Sequence, residues 1–573
     1  MYGGSVLVLA DASRGLQPLD YLVVLAYLVG VLGAGWYISR EQKGGEDFFV
    51  ARRSMPWFAV GLSLVATLLS VLSYLATPGE VIRHGIVLSL EWMAFPIAFL
   101  VVHFLWLPFF MKFRVPTRSS GAEPGPSRQL TSIYEYLELR FGLVARWMGA
   151  GLFVFVLRLC WMALIVLVSA RAVGQITLDS AREVFGAQLT AETWVVTVLL
   201  ALGLLATVYT TLGGIKAVIW TDVAQFVVLL GGLICTVVFV AVDTGTGPLD
   251  WWRLATEGSD RGHEFPPWLS WDLTVRNTIL LVCVNAVFWY GCTFVADQVA
   301  VQRFFTTRSL GAAVWSNVTL FVGNTLVIVL LAVCGMALLA YYLAFPTEIA
   351  PGVTDPRSPA VADAIFPHFI AHGLPVGVSG LVVAALFAVA MSSLDSGIHS
   401  VATVLTTDVV KRVRPTLSEH GELRLARALT LVVGLVSTAV AWTMIALPSH
   451  HHNIIDIAFR TFNCALGPLA AMFVAGMFLP HVGERAVVMA VLCGLAGATL
   501  TAWWTEILWL FGLTGYSELE GALQNVPRPG PFLVTPLAAT ATFLLAAVLG
   551  ALFPQPDLKK VQPLTWRAVV SAR

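Results

Sequence analysis

Charge is scarce in this chain: the 34 Lys and Arg and the 34 Asp and Glu together make only 12% of 573 residues, about half the share of an average soluble domain. The two signs cancel, and no basic or acidic tail is left over. Nucleic-acid binding and electrostatic docking on a membrane surface have nothing to work with. Cysteine is equally sparse. The seven (Cys160, Cys235, Cys283, Cys292, Cys334, Cys464, Cys493) lie inside apolar runs and form no CxxC or Cys/His cluster, which argues against a zinc site or a disulfide framework. The eleven histidines give no HExxH, and His450 to His452 fall in a short polar stretch with Ser449 and Asn453, read as a solvated loop. What is abundant is apolar surface, 58% of residues. A soluble globule cannot bury that much, so the chain reads as one membrane-embedded body.

A spanning helix needs about 20 apolar residues. Such runs occur at 19–39, 57–77, 86–111, 148–170, 193–212, 217–243, 277–300, 312–343, 376–405, 427–447, 457–479, 486–509 and 531–553. This predicts an all-α polytopic protein of about thirteen transmembrane helices, with its termini on opposite sides. The first run is too long and too deep in the chain for a cleaved signal peptide. Of the 34 basic residues, 23 fall in the loops after alternate spans and in the C-terminal tail, nine fall on the other side, and Arg158 and Arg460 fall inside spans. The positive-inside rule then places the N-terminus outside and the C-terminus in the cytoplasm of a cell membrane. The longest polar interruptions are 112–147, 244–276, 344–375, 406–426 and 510–530, too short for a fused sensor or kinase domain. Within the first, Ser132 to Phe141 alternates acidic and apolar residues in a way that suits an interfacial helix.

Polar groups inside a bilayer are costly and mark functional sites. Here they are Glu91, Arg158, Asp222, Asp297, Asp395 and Arg460. With Asp297 and Arg460 taken as interfacial, Glu91, Asp222 and Asp395 outnumber Arg158, and a cation is needed to balance them. The ninth span carries Ser392, Asp395, Ser396 and His399 at i, i+3, i+4 and i+7, with Ser393 beside them. These hard oxygens on one face suit a small cation such as sodium. The second span concentrates hydroxyls from Ser63 to Thr77, and a helix break there would free backbone carbonyls for the same ion, although no Gly or Pro between Ser63 and Leu75 announces one.

Four segments in order give the chain a closer identity: Glu46 to Trp57 (EDFFVARRSMPW), Gly213 to Gln225 (GGIKAVIWTDVAQ), Asp297 to Arg303 (DQVAVQR) and Met391 to Ser396 (MSSLDS). They resemble the sodium:solute symporter family over roughly residues 20 to 480. The resemblance implies a LeuT-type core of two inverted five-helix repeats, beginning near residues 57 and 277, plus flanking helices. On this division residues 1–56 hold the external N-terminus and first flanking helix, 57–480 the ten-helix core, and 481–573 two flanking helices and a short tail. It implies a main sodium site at the carbonyls of Ala66, Leu69 and Val389 and the hydroxyls of Ser392 and Ser393. A second cation or coupling site would involve Ser70, Asp222, Asp395 and Ser396. Asp395 stands where many members carry Thr, Ser or Ala, so either that site is strengthened or a proton or Arg158 occupies it.

For the solute the resemblance divides. Glu91-Trp92 and the Asp297 to Arg303 segment resemble the sodium/glucose branch, but the sugar-binding Asn, Gln and Lys of that branch are here Leu68, Ser73 and Trp315. Pro78-Gly79-Glu80 and Leu130 to Phe141 resemble the iodide, monocarboxylate and vitamin carriers. Ser73, Tyr74, Glu91, Asn285, Trp289, Tyr290 and Phe294 are the candidate pocket residues. The expectation is a non-enzymatic carrier that imports a small polar solute with sodium as coupling ion and no cofactor. A sugar-like solute is preferred over a small anion, and a non-transporting solute sensor is the alternative from another class. Gly213, Gly214 and Gly291 are candidate hinges.

Overall fold

Inside a bilayer every backbone N–H and C=O must find a partner within the protein, so long apolar segments become helices. The computed structural model bears this out. It describes residues 15–40, 42, 44–116, 127–256, 268–271, 278–347, 349, 352–358, 361, 364–414, 418–445, 454–510 and 531–571, so the His450 to His452 loop lies outside the described residues. Eleven described helices are long and apolar enough to cross a membrane, and a bent pair makes a twelfth. The 54-residue helix Ala191–Thr244 is broken at Gly214 (φ 55°, ψ −174°), which divides it into two spans and brings the number to the thirteen expected. Beyond the helices the described residues form one short antiparallel ribbon, Arg114–Pro116 paired with Ser127–Gln129.

The helices that surround the site are α1 (Trp57–Leu68), α2 (Val71–His84), α3 (Ala191–Thr244), α4 (Ile279–Ala296), α5 (Gln298–Phe305), α6 (Leu310–Ala344) and α7 (Val378–Val404). Burial orders them. From Val382 onward α7 buries every residue but Phe387, as expected of a central helix, whereas Pro18–Ser39 buries only Asp20, Val31 and Gly35 and belongs to the periphery. Where α2 crosses α6 the backbones nearly touch: a Cβ at Gly335 would lie 2.9 Å from the Cα of Pro78. Gly214 is required by its positive φ, and a side chain there would also meet Gln42 at 2.7 Å. Gly291, by contrast, sits in regular helix with ordinary contacts.

The segment 132–141 departs from the interfacial helix expected of it. Its helix Tyr134–Arg140 buries Tyr134, Glu135, Tyr136, Leu137 and Arg140. The Tyr134 hydroxyl donates to the Ala296 carbonyl (2.9 Å), and Arg140 donates to the carbonyls of Gly476 (2.9 Å) and Leu479 (2.7 Å). Its acid–apolar alternation reflects ion pairs with one buried partner each, Glu135 with the exposed Arg128 and the half-buried Glu138 with Arg146, which look like solvated charge in a one-dimensional pattern.

Asp20 ties the peripheral helix to the core. Its Oδ1 accepts from the backbone N–H of Gly377 (2.7 Å) and Gly380 (2.8 Å), at the N-terminus of α7, where the helix dipole favours a negative charge. Charge-assisted bonds of this kind contribute about 1.5–3 kcal/mol. Asp20→Ala is therefore expected to destabilise the protein by about 2 kcal/mol, read as a lowered unfolding midpoint in detergent, and Asp20→Asn by less. An unchanged midpoint in both variants would show that the cap is dispensable.

Candidate functional site

The second span is broken in the middle. Helices α1 and α2 meet at 64°, with Leu69 (ψ 120°) and Ser70 (ψ 163°) extended between them. The last helical bond of α1 runs from Leu69 N–H to the Val65 carbonyl (3.1 Å), so the carbonyls that follow lose their i+4 partners. Ser70 restarts the chain by accepting the Ser73 N–H (3.3 Å). A serine cap thus serves where a glycine or proline was sought.

Two serines of α7 meet the freed carbonyls. Ser392 Oγ donates to the carbonyls of Ala66 (2.9 Å) and Val389 (3.1 Å), and Ser393 Oγ donates to those of Thr67 and Leu69 (3.2 Å each). The five positions singled out for a main sodium site therefore converge, joined by the Thr67 carbonyl, and all are buried. Neutral carbonyl and hydroxyl oxygens are the hard donors that a small monovalent cation takes.

One turn along lies a charged cluster. Asp222 on α3 and Asp395 and Ser396 on α7 are all fully buried, and so is Arg303 on α5. Arg303 Nη2 donates to Thr67 Oγ1 (2.6 Å), Asp222 Oδ2 (3.2 Å) and Ser396 Oγ; its Nε donates to Ser63 Oγ (2.8 Å). Ser396 Oγ in turn donates to Asp395 Oδ1 (3.0 Å), and the Tyr209 hydroxyl donates to Asp395 Oδ2. Ser70 does not join them and faces the other side of the break.

Sequence reading counted Arg303 among the cytoplasmic loop charges, because it follows the apolar run; in the structure it is interior. The signal was present in Ser63 and Thr67, four residues apart on α1 and aimed at one partner. Arg158 does not reach Asp395. It forms an ion pair with Asp297, which is fully buried at the α4–α5 break, not interfacial, and caps α5 through Val299 N–H (2.9 Å). Closer to the polar loops, Arg53 donates to the carbonyls of Phe305 (3.0 Å) and Leu130 (3.1 Å), and burial pulls its guanidinium down to about 10.

On the far side of the break is a cavity of about 170 Å³, lined by Ser73, Glu91, Asn285, Trp289 and Tyr290 among the pocket candidates. Asn324 and Asn463 line it too and were not foreseen; Asn324 Nδ2 donates to the Tyr290 hydroxyl. Tyr74 and Phe294 do not line it. Tyr74 stacks on Phe366 at 5.7 Å and Phe294 on Tyr290 at 6.4 Å, both in the core. Of the departures from the sugar branch, Leu68 and Ser73 line the cavity, whereas Trp315 is 57% exposed against Trp57.

A broken helix with freed carbonyls, backed by a buried hydroxyl-bearing helix and bordering a cavity, is the arrangement that secondary carriers use at the membrane midplane. The chain belongs to the sodium:solute symporter family, whose model matches residues 48–494. Among its relatives, the rabbit sodium-dependent multivitamin transporter is 29% identical over 94% of this chain and 77% of its own length. The sodium/sialic acid symporter NanT of Aliivibrio fischeri is 28% identical over 84% and 88%, and human sodium-coupled monocarboxylate transporter 1 is 27% identical over 85% and 74%. The solved outward-open, substrate-bound state of a Na+-coupled sialic acid symporter superposes with a TM-score of 0.74 at 22% identity, covering 94% of this chain and 99% of that one. This establishes the fold of a multi-pass membrane protein.

Ser392→Ala removes one hydroxyl from the oxygen cluster. The expected result is an apparent sodium affinity about tenfold weaker or more, in a protein that still folds in potassium but unfolds at a lower temperature, because the Ala66 carbonyl loses its donor. Unchanged sodium activation would exclude this cluster as the ion site.

Proposed function

We propose that this chain is a sodium-coupled symporter that imports a small, uncharged, hydroxyl-rich solute of sugar-like character by alternating access. The main ion site is the cluster of Ala66, Leu69, Val389, Ser392 and Ser393, with Asp222, Asp395 and Ser396 as coupling residues. The solute occupies the cavity of Ser73, Glu91, Asn285, Trp289 and Tyr290. The observation that carries the solute class is the lining of that cavity. It holds the Glu91 and Glu80 carboxylates and the amides of Asn285, Asn324 and Asn463, and no Lys, Arg or His among the described residues. The Asn285 and Asn463 amide oxygens and Ser89 Oγ have no hydrogen-bond partner among the described residues, and a buried polar group without a partner is destabilising. A solute with several hydroxyl donors satisfies such acceptors. Trp289 and Tyr290 supply flat apolar faces for a ring.

A second reading, a carrier of small anions, is favoured by the names of the relatives, which move sialic acid and monocarboxylates. The cavity speaks against it, since an anion would meet carboxylates, and the nearby Arg158 is held by Asp297.

Orientation follows from the positive-inside count, N-terminus outside and C-terminus in the cytoplasm, with residues 57–480 as the moving core and the remainder flanking it. A wide cavity of about 1070 Å³ lined by Arg52, Arg53, Arg128, Arg146, Lys411 and Arg412 together with acidic residues lies on the side that this count makes cytoplasmic and suits an exit vestibule. External sodium joins the α1 carbonyls to the α7 serines and thereby shapes the cavity that the break borders, which raises solute affinity. Each sodium that enters down a 100 mV inside-negative potential supplies about 2.3 kcal/mol before its concentration gradient is counted.

The test is thermal stabilisation of purified protein in sodium against potassium at equal ionic strength, with sugars, polyols and small carboxylates added in each. A sodium-specific shift that grows with a polyol or sugar supports the reading; growth with carboxylates alone overturns the solute class, and absence of any sodium-specific shift overturns symport. Glu91→Gln is expected to weaken solute binding about tenfold or more and to leave the sodium shift without solute unchanged. Equal solute affinity in that variant would remove Glu91 from the site.

A further inference from the structure

The histidines are scattered along the sequence, but the fold sets two of them side by side, away from the ion cluster and the solute cavity. The short helix Ile365–His372 belongs to the polar interruption 344–375, on the side that the positive-inside count makes external. His368 and His372 are four residues apart, so both imidazoles stand on one face of it. Two histidines at this spacing on a helix can grip a single zinc ion. Their ring centroids are 4.8 Å apart. Two imidazoles that hold one tetrahedral ion at about 2.0–2.1 Å place their centroids about 5 Å apart, so this pair needs little movement to share one. His368 Nδ1 lies 2.7 Å from the Tyr342 hydroxyl of α6. A partner of this kind on one ring nitrogen fixes the ring and leaves the other, Nε2, as the ligand. His372 Nδ1 is buried and has no hydrogen-bond partner among the described residues, and a polar atom in that position calls for a reason. Both side chains are half-buried, open enough for an ion to arrive. The helix itself is seated by Phe366, stacked on Tyr74 of α2 (5.7 Å), and by Phe369, edge-on to Tyr341 of α6 (4.8 Å).

We propose that His368 and His372 form a binding site for a divalent cation of the zinc class, with water in the coordination positions that the protein does not fill. Paired imidazoles suit Zn2+, Ni2+ and Cu2+; the hard ions Mg2+ and Ca2+ take oxygen ligands instead. No third His, Cys, Asp or Glu joins the pair among the described residues. The site is therefore open-sided and binds its ion reversibly, unlike a structural centre closed by four protein ligands. It is not a hydrolytic centre: Phe369 stands where the zinc hydrolases carry the glutamate that serves as general base. Its effect is mechanical. Tyr342 ties His368 to α6, and the same helix covers Tyr74 on α2, so an ion that locks the two imidazoles together stiffens the contact of this helix with both. The site is independent of the sodium cluster and of the symport reading.

Calorimetric titration of zinc chloride into the purified full-length protein tests this. The protein is made without a histidine tag and carries His450→Ala, His451→Ala and His452→Ala, so that the other dense histidine run does not compete. This parent is expected to bind about one zinc per chain, to exchange it for nickel, to keep it in excess magnesium or calcium chloride, and to show slower amide exchange across residues 365–372 when zinc is bound. His368→Ala and His372→Ala should each weaken zinc binding about tenfold or more. Tyr342→Phe keeps both rings and removes only the group that positions His368; it should weaken binding about tenfold. If His368→Ala fails to fold because Tyr342 loses its partner, His372→Ala, whose Nδ1 has no partner to lose, carries the test. No zinc bound by the parent, zinc displaced by magnesium, or unchanged zinc affinity in His372→Ala would overturn the proposal and leave the pair as an aromatic contact only.

Discussion

The structure depends on a backbone that is left unfinished in lipid. At Leu69 and Ser70 the helix stops, and the carbonyls of its last turn have no amide to accept. In water such groups would be solvated, but in a bilayer each would be costly unless the protein supplied a donor. The donors are Ser392 and Ser393, and that requirement dictates much else. It brings α7 against the break and buries it on every side. It also accounts for the carboxylate from a peripheral helix that caps the N-terminus of α7. Hydroxyl groups are suited to this task because they can rotate: the oxygen that donates a proton to a carbonyl can instead present a lone pair to a cation beside it. The atoms that close the break thus carry the lone pairs that a hard cation takes.

The second break makes the contrast clear. At Asp297 the chain between α4 and α5 is extended in the same manner, but its groups are bound by permanent partners. The Tyr134 hydroxyl takes the Ala296 carbonyl, Asp297 caps the following helix, and Arg158 pairs with Asp297. None of these can be exchanged for a sodium ion without loss of a buried charge pair. Two geometrically similar breaks, one in each repeat, are thus chemically unlike: the first is closed by neutral groups that an ion can replace, and the second by an internal salt bridge.

Much of this was legible in the sequence, and the reasons are specific. Hydropathy returned the number of spans because nothing but a helix satisfies a long apolar run in lipid. Even the division of the longest helix at Gly214 was visible as two runs. The stripe from Ser392 to His399 was legible because its period is helical and its residues are out of place among apolar neighbours. The break itself was not, since it is made by a serine cap, and serines in a membrane helix more often bond their own backbone. Arg303 was missed for a related reason. A one-dimensional count assigns a charge just past an apolar run to the solvent, but α5 turns back into the protein, so the residue is carried inward. Asp408 was misplaced in the same way: counted in a polar interruption, it is fully buried against Arg146 and Ser132.

Burial of these charges explains why acids and bases are both rare and unevenly used here. The interior carboxylates differ in arrangement: Asp408 is with Arg146, Asp297 with Arg158, Asp222 with Arg303, and Asp395 with a tyrosine and a serine. In the first three the charge is neutralised where it stands, which fixes helices relative to one another. In the last it is held by two hydroxyls, one of which, Ser396, also accepts from Arg303, and such dipoles soften a buried charge without cancelling it. Asp395 lies on the helix whose serines close the broken span. The carbonyls closed by the serines and the cavity across the break are joined by the same backbone, because the carbonyls on one side and Ser70 on the other belong to the same two extended residues and their neighbours.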